Sequence, residues 1–156
     1  MAVKPIPEGY HTLSPYLAVD NAAEAIDFYK QAFGAKELVR MDAPDGKIGH
    51  AELGIGDSRI MLADQFPQSS TKPPKQLKGT TFSIFMYSED VDAAIDRAVE
   101  AGATVAMEPD DMFWGDRFGS VTDPYGHMWS IATHKEDLAP EEIAARGKAA
   151  MAAMPS

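Results

Sequence analysis

The chain repeats one pattern of secondary structure, and this repeat limits its possible folds more than any other feature. Each half reads as a short strand, an amphipathic helix and three further strands. The helices are predicted at 22–33 and 91–101, because apolar residues recur there at helical spacing and Gly34 and Gly102 follow as terminating glycines. Units repeated at this scale usually complete one another's core. The sequence therefore predicts an α+β fold built from two tandem βαβββ modules.

Turn signals and composition place the boundaries of these modules. Module one is predicted at about 10–64, with strands at 16–20, 36–41, 50–55 and 58–63. Module two is predicted at about 80–134, with strands at 82–87, 104–107, 118–122 and 128–133. The polar, proline-rich segment 65–79 lacks periodicity and is predicted as a linker, with a mobile flap over a pocket as the alternative. A C-terminal helix is predicted at 138–153, where Pro140 suits the first turn.

Charge and cysteine content exclude several classes of function. The 156 residues carry a formal net charge of −10, which argues against nucleic acid or an anionic membrane as a partner, because both bind Lys and Arg patches. No apolar run is long enough to span a bilayer, so we expect no membrane insertion. The absence of cysteine excludes disulfides, thiolate metal sites and cysteine nucleophiles. Since no targeting signal is recognisable, we expect a cytoplasmic protein.

The most specific text in the chain lies near its end. The run 114–118 (Trp-Gly-Asp-Arg-Phe) begins a strand, and the run 123–127 (Asp-Pro-Tyr-Gly-His) forms a tight turn after it. Together with the duplicated module, these runs resemble the vicinal oxygen chelate superfamily, which includes glyoxalase I, bleomycin-resistance proteins and extradiol dioxygenases. The run 129–138 is similar to the PhnB-like branch. The resemblance covers roughly residues 10–140 and implies a curled mixed sheet around a cleft, in a homodimer.

The metal site that the resemblance implies does not carry over to this chain. In metal-dependent members, four His, Glu or Gln ligands converge from strands of the two modules and leave open positions for substrate oxygens. The resemblance places these positions at Leu13, Glu52, Ser83 and Ser130. Leucine cannot bind a metal and serine hydroxyls are poor ligands, so only Glu52 is suitable. We therefore expect no bound metal and no other cofactor.

A displaced metal site is the alternative. His11 precedes Leu13 by two residues and His50 precedes Glu52 by two, so each shares a strand face with its neighbour. A divalent metal held by His11, His50 and Glu52 would lie about 7 Å further along the strands. Otherwise His50 is a cleft histidine that hydrogen-bonds a neutral ligand or Glu52. His127 is expected to form a local hydrogen bond after its turn glycine.

Aromatic and basic residues beside the closing strands complete the predicted pocket. Trp114 is either a platform for a planar ligand or part of the core. Arg117 is either half of a surface ion pair or an anchor for a carboxylate or phosphate. The full predicted ligand pocket consists of His50, Glu52, Ser83, Phe113, Trp114, Arg117, Phe118 and Ser130.

Two functions are consistent with these residues. The first is a small-molecule-binding protein with a degenerate metal site, which sequesters or senses an aromatic or amphipathic ligand as the resemblance to bleomycin-resistance proteins implies. The second is a divalent-metal-dependent lyase, isomerase or dioxygenase that uses the displaced site around His50 and Glu52. The binding hypothesis is favoured, because three of the four ligand positions lack a metal-binding side chain.

Overall fold

The computed structural model describes residues 2–156 and confirms an α+β fold of two βαβββ modules followed by a C-terminal helix. A 3-10 turn at Pro44–Gly46 joins the second and third strands. In chain order, the remaining elements are β1 (Tyr16–Val19), α1 (Ala22–Phe33), β2 (Lys36–Asp42), β3 (Ile48–Ile55), β4 (Ser58–Asp64), α2 (Pro74–Leu77), β5 (Ser83–Tyr87), α3 (Val91–Ala101), β6 (Thr104–Asp111), β7 (Asp116–Thr122), β8 (Met128–His134) and α4 (Pro140–Ala152).

Side-chain caps fix the start of α1 and α3. The Asn21 side-chain oxygen accepts a hydrogen bond from the backbone N–H of Glu24 at 3.3 Å, and the Asp90 carboxylate accepts one from the N–H of Ala93 at 3.1 Å. The cap of α1 is thus Asn21, one residue after the Asp20 at which the sequence suggested the helix start. Both helices have the predicted bounds, because caps and apolar spacing are local signals.

The strands form two mixed sheets that curl without closing on each other. Their orders are β1-β4-β3-β2 and β5-β8-β7-β6, so the two modules have the same topology. In each sheet the first strand pairs in parallel with the fourth, and the remaining pairs are antiparallel. In each module, the chain passes from the first strand through a helix to the second strand. This helix packs on one face of the sheet of its own module.

The core lies between the sheets and the helices, and α1 packs against α3 at its centre. Leu17 and Leu62 of the first sheet and Trp129 and Ile131 of the second are 0–1% exposed. The alternate residues of the first-sheet strands face away from the helices and are more exposed, whereas in β8 Ser130 and Ala132 on that face are also buried. Each sheet therefore has a helix-covered face and an open face.

A buried aspartate joins the two modules. Asp123 accepts hydrogen bonds from the Tyr29 hydroxyl of α1 at 2.6 Å and from Trp129 Nε1 of β8 at 3.0 Å. Nearby, His127 Nε2 lies 2.9 Å from the backbone oxygen of Ala18 in β1. The predicted local hydrogen bond is present, because the His127 N–H donates to Asp123 Oδ1 at 2.9 Å, and the ring in addition reaches the other module.

The segment 65–79 contains the single-turn helix α2. Pro73 and Pro74 precede and begin this turn, and a fixed proline φ favours the first helical position. No helix within residues 2–156 has the length and apolar character needed to cross a bilayer.

Candidate functional site

The open face of the first sheet carries a chain of hydrogen-bonded polar side chains. β3 places His50 and Glu52 on one face, because strand residues two apart point the same way. The Tyr16 hydroxyl of β1 lies 2.7 Å from His50 Nδ1, and His50 Nε2 lies 3.1 Å from Glu52 Oε1. The Tyr10 hydroxyl, from the segment before β1, donates to Glu52 Oε2. The chain of contacts thus ties the N-terminal segment to two strands of the sheet.

These contacts favour a charged carboxylate between neutral hydroxyls. Hydrogen bonds from Tyr10 and, next in effect, from His50 hold the pKa of Glu52 below its ordinary value. Loss of hydration raises the pKa of Tyr10 and of Tyr16, so both hydroxyls remain protonated at neutral pH. The open face of the first sheet therefore offers one negative charge with hydrogen-bond donors on either side.

The residues at the four expected metal positions do not fit a divalent cation. Leu13 is 85% exposed and lies before β1. The Ser130 hydroxyl donates to the Ser83 hydroxyl at 3.2 Å. Throughout residues 2–156, no group of three or more His, Asp or Glu side chains could hold a metal ion.

The displaced site is not assembled either. The sequence interpretation placed His11 and Leu13 on one strand face, which is wrong because β1 begins only at Tyr16. The His11 ring instead lies 3.1 Å from the backbone oxygen of Asp57. No metal centre is therefore built from His11 together with the residues of β3.

The open face of the second sheet carries aromatic side chains in mutual contact. The rings of Phe85 and Phe118 are stacked, with centroids 5.7 Å apart and planes inclined by 26°. Tyr87 lies 5.3 Å from Phe85, and Trp114 lies 5.7 Å from Phe118. Phe85 is 48% exposed and Tyr87 is 63% exposed, so the cluster is open to solvent. We call Phe85, Tyr87, Trp114 and Phe118 the aromatic face.

A buried carboxylate holds two of these rings in place. Asp116 is 4% exposed and accepts hydrogen bonds from the Tyr87 hydroxyl and from Trp114 Nε1, each at 3.1 Å. His134 Nδ1 lies 2.8 Å from the other oxygen of Asp116, and His134 Nε2 lies 2.9 Å from Asp137. Hydrogen bonds to Asp116 first, and then to Asp137, raise the pKa of His134. The edge of the aromatic face is thus fixed before any ligand arrives.

The residues predicted as one pocket are divided between the two sheets. His50 and Glu52 lie on the first sheet. The second sheet and its β6–β7 turn carry Ser83, Trp114, Phe118 and Ser130. The remaining two, Phe113 and Arg117, contact partners in α4 and in α3 and β6 respectively.

Phe113 packs on the C-terminal helix, and Arg117 forms ion pairs. The Phe113 ring approaches Gly147 of α4 so closely that a Cβ atom there would lie 2.9 Å from it. The Arg117 guanidinium lies 2.6 and 2.9 Å from the two carboxylate oxygens of Asp92 and 3.3 Å from Asp111. This matches the ion-pair alternative, and those contacts occupy the guanidinium edge that would otherwise grip an anion.

Sequence analysis missed four residues that shape these faces. Phe85 and Tyr87 alternate with core residues in β5, and Asp116 stands two residues before Phe118 in β7, so strand periodicity was an available signal for all three. Tyr10 gave no such signal, because its partner lies 42 residues away in the sequence.

Comparisons with known proteins show the family of this fold. The model of the Glyoxalase/Bleomycin resistance protein/Dioxygenase superfamily matches residues 10–131. An uncharacterised protein of Mycobacterium bovis is 47% identical over 136 residues, which cover 85% of this chain and 90% of the relative. A lactoylglutathione lyase of Neisseria meningitidis is 28% identical over 118 residues, which cover 75% of this chain and 83% of the lyase.

Several solved structures share the fold of this chain. An Arabidopsis thaliana protein is 29% identical with a TM-score of 0.64, and the match covers 79% of this chain and 98% of that one. TioX from Micromonospora is 27% identical with a TM-score of 0.63, covering 80% and 98%. The PhnB protein of Bacillus cereus, at 17% identity and a TM-score of 0.62 with coverage of 79% and 99%, shares the fold.

Proposed function

The chain belongs to the glyoxalase/bleomycin resistance protein/dioxygenase superfamily, and we propose that it is a metal-free protein that binds a planar aromatic small molecule. Since this scaffold hosts many chemistries, the proposal rests on the site and not on the fold. The observation that carries it is the aromatic face, where contacting rings stand open to solvent above a buried carboxylate.

The aromatic face suits a planar ligand for two reasons. Its exposed rings already adopt stacked and tilted arrangements, and a further ring extends such a cluster with about 0.5–1.5 kcal/mol per aromatic pair beyond the area buried. The hydrogen bonds from Tyr87 and Trp114 to Asp116 hold two of the rings in position. Binding then costs less side-chain entropy than it would with mobile rings.

The residues at the four metal positions support binding without a metal. Only Glu52 has a ligating side chain, and Tyr10 and His50 already bond to its two oxygens. The lyase activity named for the Neisseria relative is therefore not part of the proposal. Within residues 2–156, no three metal-ligating side chains converge, which supports the metal-free proposal over the displaced-site enzyme.

We also propose that the protein forms a homodimer. Tyr16 and Met41, on the first sheet, are 52% and 59% exposed, and the aromatic face is exposed on the second. Exposed apolar side chains of this kind are candidates for burial at an interface. Multi-angle light scattering of purified protein should give twice the monomer mass at micromolar concentration, whereas a monomer mass there would refute the dimer.

The binding proposal is tested with 2-naphthol and its saturated analogue decahydro-2-naphthol. Titrations followed by Trp fluorescence should show saturable binding of the aromatic compound and much weaker binding of the analogue, which has similar size but no ring faces. Phe85→Ala should weaken 2-naphthol binding about fivefold or more, because it removes the exposed stacking partner. The matched control Val39→Ala removes an exposed apolar side chain from the other sheet and should leave affinity unchanged.

Two outcomes would refute the proposal. Equal affinity for the two compounds, or the same loss in both variants, would show that the aromatic face does not select the ligand. Stoichiometric metal in the purified protein, with binding that disappears after EDTA dialysis, would show that the site is not metal-free.

A further inference from the structure

The segment before β1 folds back over the first sheet and is held there by side-chain contacts. We call residues 5–14 the strap. Besides the hydrogen bond from Tyr10 to Glu52, the Arg59 guanidinium carbon lies 4.5 Å from the centroid of the Tyr10 ring. The His11 ring lies 3.1 Å from the backbone oxygen of Asp57. The strap is therefore fixed to β3, to β4 and to the turn between them.

A glycine permits this close approach. Gly9 has φ 78°, in the left-handed region, and a Cβ atom there would collide with the Arg59 guanidinium. The Tyr10 N–H donates to the backbone oxygen of Pro7 at 3.1 Å and closes the turn around Gly9. The strap thus has a defined shape with its own turn.

A cavity of about 450 Å³ lies between the strap and the sheet. Its volume falls within the range of roughly 300–1,000 Å³ that is typical of small-molecule sites. Pro5, Ile6, Pro7 and Met61 give it apolar walls, and Glu52 contributes a carboxylate. Because the strap residues Pro5, Ile6 and Pro7 are exposed, the cavity is an open groove that combines an apolar wall with a negative charge.

Glu52 is influenced by the Arg59 guanidinium on the Tyr10 ring, but only from beyond ion-pair distance. Its side chain is 17% exposed, and within residues 2–156 its ion-pair contacts of 4 Å or less involve the His50 ring alone. Each oxygen of an ionised carboxylate can accept a second hydrogen bond beside the one from Tyr10 or His50. A partly buried anion in an apolar cavity is stabilised best by a cationic partner with donors of its own.

We propose that the cavity under the strap binds a small organic ammonium ion with an apolar body, with Glu52 as its counter-ion. The ammonium group donates to the free lone pairs of Glu52, and the apolar body contacts Ile6, Pro7 and Met61. The net charge of −10 further favours a cation over an anion. This site lies on the other sheet from the aromatic face, so it goes beyond the function proposed above and either can fail without the other.

Three probes that differ in charge test the proposal on the full chain. Cyclohexylmethylammonium is compared with the neutral cyclohexylmethanol and the anionic cyclohexanecarboxylate, while NMR follows the methyl groups of Ile6 and Met61. The ammonium probe should shift both methyl signals saturably and bind about tenfold more tightly than the alcohol, since a hydrogen bond to a charged group is stronger than a neutral one. The carboxylate probe should cause no shift.

Glu52→Gln keeps the shape of the side chain and removes its charge. It should lower the affinity for the ammonium probe about tenfold, to that of the alcohol, and leave 2-naphthol binding unchanged. The control Glu100→Gln makes the same change of net charge at an exposed position on α3 and should have no effect. If Glu52→Gln fails to fold, the ranking of the three probes on the unaltered chain decides. Equal affinity for ammonium and alcohol, or no shift at Ile6 and Met61, would overturn the proposal.

Discussion

The two modules have the same topology, but their open faces carry different chemistry. On the first sheet, Tyr16, His50 and Glu52 form a polar hydrogen-bonded chain. On the second sheet, Phe85 and Phe118 begin a cluster of stacked rings. The helix-facing residues of both sheets are apolar and buried. The covered face thus maintains the fold, while the open face is free to differ between the two copies.

The β-hairpins of the two modules differ in the same way. In module one, β3 and β4 are joined by Gly56 and Asp57, and the Asp57 carboxylate accepts a bond only from the neighbouring Ser58 hydroxyl among the residues that the structure describes. In module two, the longer turn at 123–127 places Asp123 in the core, at 4% exposure. One turn is a simple surface connection, and the other fixes the contact between the modules.

The largest effect should come from removing the buried aspartate. Asp123→Ala leaves four donors without their acceptor, namely the Tyr29 hydroxyl, Trp129 Nε1 and the backbone N–H groups of Tyr125 and His127. We expect a loss of about 3–5 kcal/mol in the free energy of unfolding, because buried unsatisfied donors are costly. Urea denaturation of the variant and of the unaltered chain measures this loss in the free energy of unfolding.

Asp57→Ala is the matched control in module one. Its carboxylate is exposed, so we expect a change within about 0.5 kcal/mol. Equal losses in the two variants would contradict the conclusion that only the turn of module two fixes the contact between the modules.

A glycine in each sheet gives the second comparison. At Gly119 in β7, a Cβ atom would lie 2.5 Å from Ile95 Cδ1 of α3 and 3.0 Å from the backbone oxygen of Met107, so Gly119→Ala should destabilise by about 1–3 kcal/mol. At Gly54 in β3, the nearest atom is a Leu38 methyl at 3.5 Å, an ordinary contact. Gly54→Ala should therefore stabilise by up to about 1 kcal/mol through the unfolded state. Thermal unfolding of both variants shows whether the signs differ, and shifts of the same sign would refute the comparison.

Much of the fold could be predicted because its signals are local. The bounds 22–33 and 91–101 agree with the observed helices, since caps and periodicity act within a few residues. The prediction failed at β6, which was predicted at 104–107 and continues to Asp111 through a run of acids. β6 is an edge strand, and an edge position tolerates charges and Pro109.

The candidate site was harder to predict because it depends on long-range contacts. Strand periodicity shows which residues share a face, but it does not show which strands become neighbours. His50 and Phe118 were assigned to one pocket from different modules, and periodicity alone does not show how the sheets of those modules face each other. Likewise, the contact of Tyr10 with Glu52 follows from the path of the strap and not from any motif. The sequence thus predicted the pattern of residues within each helix and strand, but it did not predict the contacts between distant elements.

The smallest expected effects are changes of stability with pH, which should run in opposite directions in the two modules. Asp116, and next Asp137, raise the pKa of His134 above its ordinary value of 6.5. A group whose pKa rises on folding stabilises the fold fully below its unfolded pKa, and loses that contribution as the pH rises through the folded value. The stability difference between the unaltered chain and His134→Gln should therefore shrink as the pH increases above about 6.5.

Glu52 should behave in the reverse direction, because Tyr10 and then His50 hold its pKa below the ordinary 4.5. Its contribution is present above that pH and is lost as the pH falls through the folded pKa, so the stability difference between the unaltered chain and Glu52→Gln should shrink on acidification below about 4.5. Urea titrations of both variants from acid to mildly alkaline pH measure the two trends. The stability differences could instead be independent of pH, or could vary in the same direction for both variants. Either result would show that the contacts of Glu52 and His134 do not set the charge states inferred from the structure.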